Sequence, residues 1–190
     1  MNNNLNQKLY EACKNRNLQI IKKILGTPSL SKEVDLGDED FRIIKEALKT
    51  YNEEIIDYII NLEQLKSSDK VKEEINQEFG DSCFRGKIEN LKFFKENEKY
   101  ADYIDLDFKS GWFFRTAFKN YHKQVVLYLI KDCGLKADNK YVKITFFNEV
   151  STDKNKEMKI FSIDIFDKIA LFNKIEKNLE EKQPNKKHKI

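Results

Sequence analysis

One pattern occurs four times in this sequence, at intervals of 35 residues and without any shift in register. In each copy a large apolar residue precedes a small residue by three positions. These pairs are Leu9 and Ala12, Ile44 and Ala47, Phe79 and Ser82, and Phe114 and Ala117. Because residues at i and i+3 share one face of a helix, each copy predicts a helix whose small residue lets a neighbouring backbone approach closely.

A second apolar run follows in every copy after a short polar break. Its members are Ile20, Ile21, Ile24 and Leu25; Ile55, Ile56, Ile59 and Ile60; Leu91 and Phe94; and Val125, Val126, Leu129 and Ile130. Their spacing places the side chains in one stripe along a second helix. We therefore expect two short antiparallel helices per copy, which bury a continuous core only when the copies stack.

Several of these residues match the pattern of the ankyrin repeat family. Ala12-Cys13 and Ser82-Cys83 match its two small residues, Gly86 matches its turn glycine, and Val125-Val126 matches its valine pair. The chain thus resembles ankyrin repeats over about residues 5–136, although no copy has the Thr-Pro-Leu-His opening of that family. A TPR-like or HEAT-like helical array is the alternative.

The resemblance implies a mainly α fold, an ankyrin-like solenoid of four repeats in residues 1–138. It also implies a β-turn finger between successive repeats, the first of them across residues 29–39. For the third copy the residues before Phe79 indicate an elongated first helix instead of a finger. The expected repeats are about 5–35, 40–70, 71–108 and 109–138.

Residues 139–181 do not continue the pattern, since Glu149 and Thr152 stand where the next large and small residues would fall. The runs 142–147 and 158–163 predict a β-hairpin around a polar loop. Asp164 then begins an amphipathic helix, and we expect the hairpin and helix to cap the last repeat. Residues 182–190 are expected to be a disordered basic tail. The expected inward side chains of the helix are Ile165, Phe166, Ile169, Phe172, Ile175 and Leu179.

Composition excludes several classes of protein. The 190 residues carry a net charge of only +3, which argues against a dedicated surface for polyanions. No apolar run approaches the ~18 residues that span a bilayer, and the first residues lack the features of a secretory signal. We therefore expect a cytoplasmic protein without a membrane partner, located in the host cytosol if it is viral or an effector. The three cysteines are expected to be small buried residues.

The sequence offers little that could perform catalysis. Its two histidines are His122, in a repeat turn, and His188, in the tail. We find no HExxH, no CxxC and no glycine-rich phosphate loop, and the many carboxylates alternate with lysines as on a solvated surface. We expect a protein that is not an enzyme, with no catalytic residue, no cofactor and no metal site.

The function favoured by the sequence is protein binding. An array of this kind presents the outer face of its first helices to a partner, and aromatic and arginine side chains often dominate such contacts. Phe84 and Trp112 have an alternative, which is to fill space between repeats. The resemblance to ankyrin proteins of viruses and intracellular bacteria implies a host or competitor protein that is inhibited or redirected. The candidate partner-binding residues are Phe84, Arg85, Trp112, Lys49, Lys119, Asn120 and Lys14.

Nucleic-acid or ribonucleoprotein binding is the alternative function. It would use the predicted C-terminal hairpin, through Lys143, Thr145 and Lys159, together with the basic tail. Its signature would be an affinity that falls as salt is added. The low net charge places this alternative second.

Overall fold

Every regular element that the structure describes is a helix, so the prediction of a mainly α fold is confirmed. The structure, a computed structural model, describes residues 3–36, 38–62, 65, 69–136, 139–150 and 156–181. In chain order, the helices are α1 (Asn3–Lys14), α2 (Leu18–Gly26), α3 (Pro28–Ser31), α4 (Asp38–Leu48), α5 (Glu53–Ile60), α6 (Asp69–Arg85), α7 (Ile88–Lys95), α8 (Glu98–Ala101), α9 (Phe108–Lys119), α10 (Lys123–Lys131), α11 (Lys140–Val150) and α12 (Lys156–Glu181).

The chain divides into two compact units. The first comprises Met1–Phe79 and Lys92–Ile104, and the second comprises Gly80–Leu91 and Asp105–Ile190. The division falls within α6 and α7, so each of these helices contributes residues to both units. The two units are described one at a time below.

In the first unit, α1 packs against α2 and α4, and α4 packs against α5. The large apolar residues of the repeated pattern supply the core, and Leu9, Ile21, Ile44 and Ile56 are completely buried. Aromatic rings from α7 and α8 extend it, with the Phe93 and Tyr100 rings stacked at a centroid distance of 5.7 Å. The helices of this unit therefore form because each has one apolar stripe that another helix covers.

In the second unit, α9 packs against α10 and α11, and α12 packs against both α10 and α11. The core is aromatic and centres on Phe118, which is completely buried. Its ring lies 4.8 Å from that of Phe146 and 5.2 Å from that of Phe161, both in edge-on geometry. Edge-on geometry is favourable for aromatic pairs, and these contacts attach α11 and α12 to α9, the helix that carries Phe118.

The turn between the two helices of each copy has a common feature in all four copies. A residue with positive φ ends the first helix, and its amide donates to the carbonyl oxygen three residues earlier. In three copies the next amide also donates to the carbonyl oxygen of the small residue, as in a Schellman helix end. The positive-φ residues are Arg16 (55°), Tyr51 (48°), Gly86 (70°) and Tyr121 (58°), which are 35 residues apart.

The small residue of the pattern therefore has a backbone role as well as a packing role. The Ala12 carbonyl accepts from the Asn17 amide at 2.8 Å, and the Ala117 carbonyl accepts from the His122 amide at 2.9 Å. Asn17 then begins α2, because its side chain accepts from the Ile20 amide. One short segment thus ends one helix and starts the next.

Successive copies differ three residues before the large apolar residue. In the first and third copies this position is a buried asparagine whose side chain bonds the following loop: Asn6 holds the backbone of Asp35, and Asn76 donates to the Tyr103 carbonyl at 2.7 Å. In the second and fourth copies it is a residue with positive φ, Phe41 (61°) or Gly111 (72°). The four copies therefore alternate in structure.

The predicted C-terminal β-hairpin is wrong. Residues 142–147 belong to α11, and residues 158–163 belong to α12. Both runs also fit a helical period, since Val142, Thr145 and Phe146 are buried and stand at i, i+3 and i+4. Short apolar runs of this kind fit both periods, and here packing against α9 and α10 selects the helix.

Three further predictions concern the connections and the last helix. The finger predicted across residues 29–39 is absent from its described part, where α3 lies, and Gly37 is outside the described residues. The elongated first helix of the third copy is confirmed by the 17 residues of α6. In α12, Ile165 and Ile169 are buried as predicted. Phe166 is half exposed, contrary to its predicted inward position, and the side chains of Phe172, Ile175 and Leu179 lie outside the description.

Candidate protein-binding surface

Phe84 is a large aromatic residue near the end of α6, and 52% of its surface is exposed. The equivalent residue in the other three copies is a lysine, namely Lys14, Lys49 or Lys119, and each is exposed. The position therefore points outward in every copy, and only the third copy places an apolar ring there. A solvated position has no core to fill, which makes Phe84 the first candidate for a contact residue.

The backbone at Phe84 is held in place by the next turn of the second unit. The His122 ring lies against this segment, with its Nε2 atom 2.8 Å from the Phe84 carbonyl oxygen. Gly86 makes this close approach possible, because a Cβ atom there would lie 2.6 Å from His122 Nδ1. The exposed ring of Phe84 therefore projects from a helix end whose backbone is held by the His122 ring.

Further exposed polar and aromatic side chains lie on this helix end and on the turn that contains His122. Arg85 is half exposed, and its guanidinium lies 3.8 Å from the carboxylate of Asp81, one turn earlier. On the adjoining turn Lys119 and Asn120 are exposed, and Tyr121 is 38% exposed. We call Phe84, Arg85, Lys119, Asn120 and Tyr121 the Phe84 surface. An aromatic and arginine composition is typical of the energetic centre of protein interfaces.

Sequence reasoning did not single out Tyr121. Its ring contacts Phe161 at a centroid distance of 5.4 Å, so part of the side chain packs while 38% of its surface is exposed. The signal that could have found it is the register, since Tyr121 is equivalent to the turn glycine Gly86. A tyrosine with positive φ has a steric cost that glycine does not have, so this position is one where the side chain itself is a candidate for a role.

Trp112 is placed differently from Phe84. It is half buried, and its ring lies against Gly80, where an added Cβ atom would come within 2.1 Å of the indole. Phe108 and Phe113 flank it at centroid distances of 6.4 and 6.3 Å. Packing therefore accounts for much of the Trp112 side chain. The register gave a usable signal here too, because the other copies carry large side chains at the position of Gly80.

The remaining candidates divide between the two units. Lys14 and Lys49 belong to the first unit, where Lys49 Nζ lies 3.4 Å from the Glu46 carboxylate. Lys119 and Asn120 belong to the second unit with Phe84, Arg85 and Trp112, and the Asn120 side chain donates to the Thr116 carbonyl at 2.8 Å. The second-unit members of the predicted set therefore belong to one compact unit, whereas Lys14 and Lys49 belong to the other.

The cysteines are in surroundings that suppress their reactivity. Burial, and secondarily the charge of Glu46, raises the pKa of the Cys13 thiol to about 12. Burial raises the pKa of the Cys83 thiol well above its usual value, with nearby Cys133 adding to the effect. A thiol that stays protonated at neutral pH is a poor nucleophile and a poor metal ligand. Across the described ranges, no three His, Cys, Asp or Glu side chains are grouped so that they could hold a metal ion.

A polar cluster of the first unit ties α8 to α5. The Tyr100 hydroxyl donates to the Asp57 carboxylate at 2.6 Å, and Lys99 bonds both Glu53 and Asp57. Burial, followed by the hydrogen bond to Asp57, raises the pKa of the Tyr100 hydroxyl. This phenol stays protonated and acts as a hydrogen-bond donor to Asp57. The cluster therefore has a structural role, which is to hold α8 against α5.

The residues named for nucleic-acid binding do not form the expected face. Lys143 and Lys159 are exposed, but they stand on α11 and α12 and not on paired strands, and Thr145 is buried. The basic tail, residues 182–190, lies outside the described residues. The hairpin on which this alternative rested is therefore absent.

Comparison with known proteins yields no relative: no protein-family model, no curated protein and no solved structure matches the chain. Within the described part of the chain, none of the helices combines the length and apolarity needed to cross a bilayer.

Proposed function

We propose that this protein is a non-catalytic protein-binding module, built on ankyrin-like helix pairs, whose contact surface centres on Phe84. The observation that carries the proposal is the exposure of Phe84 at a position that is lysine in the three other copies. Exposed aromatic rings on rigid backbone lose little conformational entropy on binding and supply a large contact area.

The ankyrin-like assignment has support of two kinds. The 35-residue register runs through all four copies of the sequence, and the same positive-φ turn recurs in that register. By resemblance to ankyrin proteins of viruses and intracellular bacteria, the expected partner is a host or competitor protein whose activity is blocked or redirected. The Phe84 surface would insert its ring into an apolar pocket, with Arg85 and Lys119 at the rim facing acidic groups.

The test is capture of partners from a lysate of the native source, with the tagged full chain as bait and with nuclease treatment. The decisive variant is Phe84→Lys, which installs the residue of the other three copies and so preserves the fold. We expect it to weaken the affinity for a nuclease-resistant protein partner by about tenfold or more, which is the usual loss at an aromatic hot spot.

Ile20→Lys is the matched control, because Ile20 is also an exposed apolar residue, on α2, and belongs neither to the Phe84 surface nor to α11 or α12. It should leave capture unchanged. A different result would favour nucleic-acid binding. In that case the captured material would be lost on nuclease treatment, and the Phe84→Lys variant would capture as much of it as the unaltered chain. A protein partner that is equally insensitive to both changes would remove the Phe84 surface from the mechanism.

A further inference from the structure

The apolar surface of α11 and α12 is unusually exposed. A surface this apolar is rare on a protein that remains alone in solution, and it usually marks an interaction site. The exposed residues are Ile144 (54%), Phe147 (73%), Ile160 (59%), Ile163 (55%), Phe166 (50%) and Leu171 (54%).

The two segments that flank α12 have little with which to cover these side chains. The undescribed segments that flank α12, residues 151–155 and 182–190, contain a single large apolar side chain, Ile190. The six exposed side chains together offer on the order of 600 Å² of apolar surface, if each exposes about half of a typical aromatic or aliphatic side chain. A standard interface buries about 800 Å² on each partner, so the exposed area approaches what a stable complex requires.

The exposed face of α12 is arranged symmetrically about Ile163. Successive helical residues are rotated by roughly 100°, which places Ile160 and Asp167 on one side of Ile163 and Lys159 and Phe166 on the other. The spacing is symmetric along the helix as well: Ile160 and Phe166 are three residues from Ile163, and Lys159 and Asp167 are four. Lys159 and Asp167 are both exposed.

We propose that this face binds a second copy of the same chain, with the two α12 helices crossing antiparallel on a two-fold axis at Ile163. In that arrangement each Ile163 meets its counterpart. Each Lys159 is level with an Asp167 of the other helix, and each Ile160 is level with a Phe166, because equal distances along the helix from Ile163 coincide in an antiparallel pair. Lys159 and Asp167 lie about 40° from Ile163 around the helix, so the charges beside the crossing are complementary twice. A two-fold contact requires such a self-complementary patch. Ile144 and Phe147 of α11 add apolar area beside the crossing.

The inference is independent of the Phe84 surface, and its test is the mass of the full chain in solution. Sedimentation equilibrium over a range of protein concentrations should show a dimer of the unaltered chain. Ile163→Asp should weaken the dimer by at least about 100-fold, because it places two carboxylates together at the apolar centre. Ile20→Asp is the control, since Ile20 is a similarly exposed isoleucine on α2 and should not affect the dimer.

A charge exchange tests the geometry without altering the apolar centre. Lys159→Glu alone and Asp167→Lys alone should each weaken the dimer by roughly tenfold, because each creates like-charge contacts. The double variant should restore the dimer, since it only reverses the direction of the same pairs. Circular dichroism of every variant should match that of the unaltered chain.

Three results would overturn the proposal. One is a monomer at all concentrations of the unaltered chain. Another is a dimer that survives Ile163→Asp. The third is a double charge variant no tighter than the single ones, which would exclude the crossing at Ile163.

Discussion

The repeated helix pairs and the C-terminal pair of α11 and α12 differ in how completely they bury their apolar residues. In the repeated pairs the patterned residues Ile44, Phe79 and Phe114 are almost completely buried. In α11 and α12 one face packs on α9 and α10, while the other leaves side chains such as Phe147 in solvent. A repeated pair is thus defined by a register that its neighbours share, whereas the last pair has a second apolar face that this register does not explain.

The largest effect that separates the two regions should come from a buried charge. Ala117→Glu places a carboxylate at a completely buried position beside the helix end of α9, and we expect a loss of about 4 kcal/mol or more in the free energy of unfolding. Ala170→Glu makes the same change at an exposed position of α12 and should cost little. Urea denaturation followed by circular dichroism measures both. Equal stability of the two variants would show that the small residue of the repeated pattern is not closely packed.

A smaller effect should distinguish the repeated turn from the turn after α10. Gly86 and Gly134 both have positive φ, 70° and 78°, so alanine is strained at either position. At Gly86 the new Cβ atom would also meet the His122 ring, whereas nothing lies within 4 Å of it at Gly134. We expect Gly86→Ala to cost about 2 kcal/mol and Gly134→Ala about 1 kcal/mol. A larger loss at Gly134, measured in the same denaturation experiment, would contradict the role of His122.

A stabilising change should be available in the first copy. Arg16 is exposed and has a φ of 55°, a conformation that glycine adopts without the steric cost paid by other residues. Arg16→Gly should therefore raise the free energy of unfolding by up to about 1 kcal/mol. Thermal unfolding is a sufficient readout, and a lowered midpoint would mean that the Arg16 side chain makes a contribution larger than the strain.

The smallest effect concerns the attachment of α12 to α10. Lys123 Nζ lies 2.7 Å from the Asp164 carboxylate, and this hydrogen bond lowers the pKa of Asp164. A carboxyl group whose pKa is lower in the folded state adds stability above its unfolded pKa of about 3.9. That contribution is lost as the pH falls through the lower, folded value. Asp164→Asn should flatten the acid limb of a plot of unfolding free energy against pH, whereas an unchanged acid limb would show that the pair does not form in solution.

Sequence reasoning succeeded where a local signal coincided with the packing. The pair of Leu9 and Ala12 predicts helix α1, and the apolar run that begins at Ile20 predicts helix α2. The C-terminal region was misassigned because the run from Val142 to Phe147 is rich in β-branched and aromatic residues, which favour strands in isolation. Its helical state depends on contacts with α9, and the sequence of the run alone does not predict those contacts.

The candidate site shows the same division. Phe84 could be selected from sequence, because its register position is lysine in every other copy. The partial burial of Trp112 is one of the two alternatives that the sequence offers, and the register supports it, because Gly80, 32 residues earlier, leaves room where the other copies carry large side chains. The bond between His122 and the Phe84 carbonyl could not be predicted, because nothing in the sequence around either residue indicates the other.

The alternation between buried asparagines and positive-φ residues has a consequence for engineering the array. Asn6 and Asn76 are equivalent, and Phe41 and Gly111 share a positive φ, so the pattern at this position repeats every 70 residues. Excising or duplicating a single 35-residue copy would place two copies of the same type in succession. A designer who wishes to lengthen or shorten this chain should therefore add or remove helix pairs two at a time.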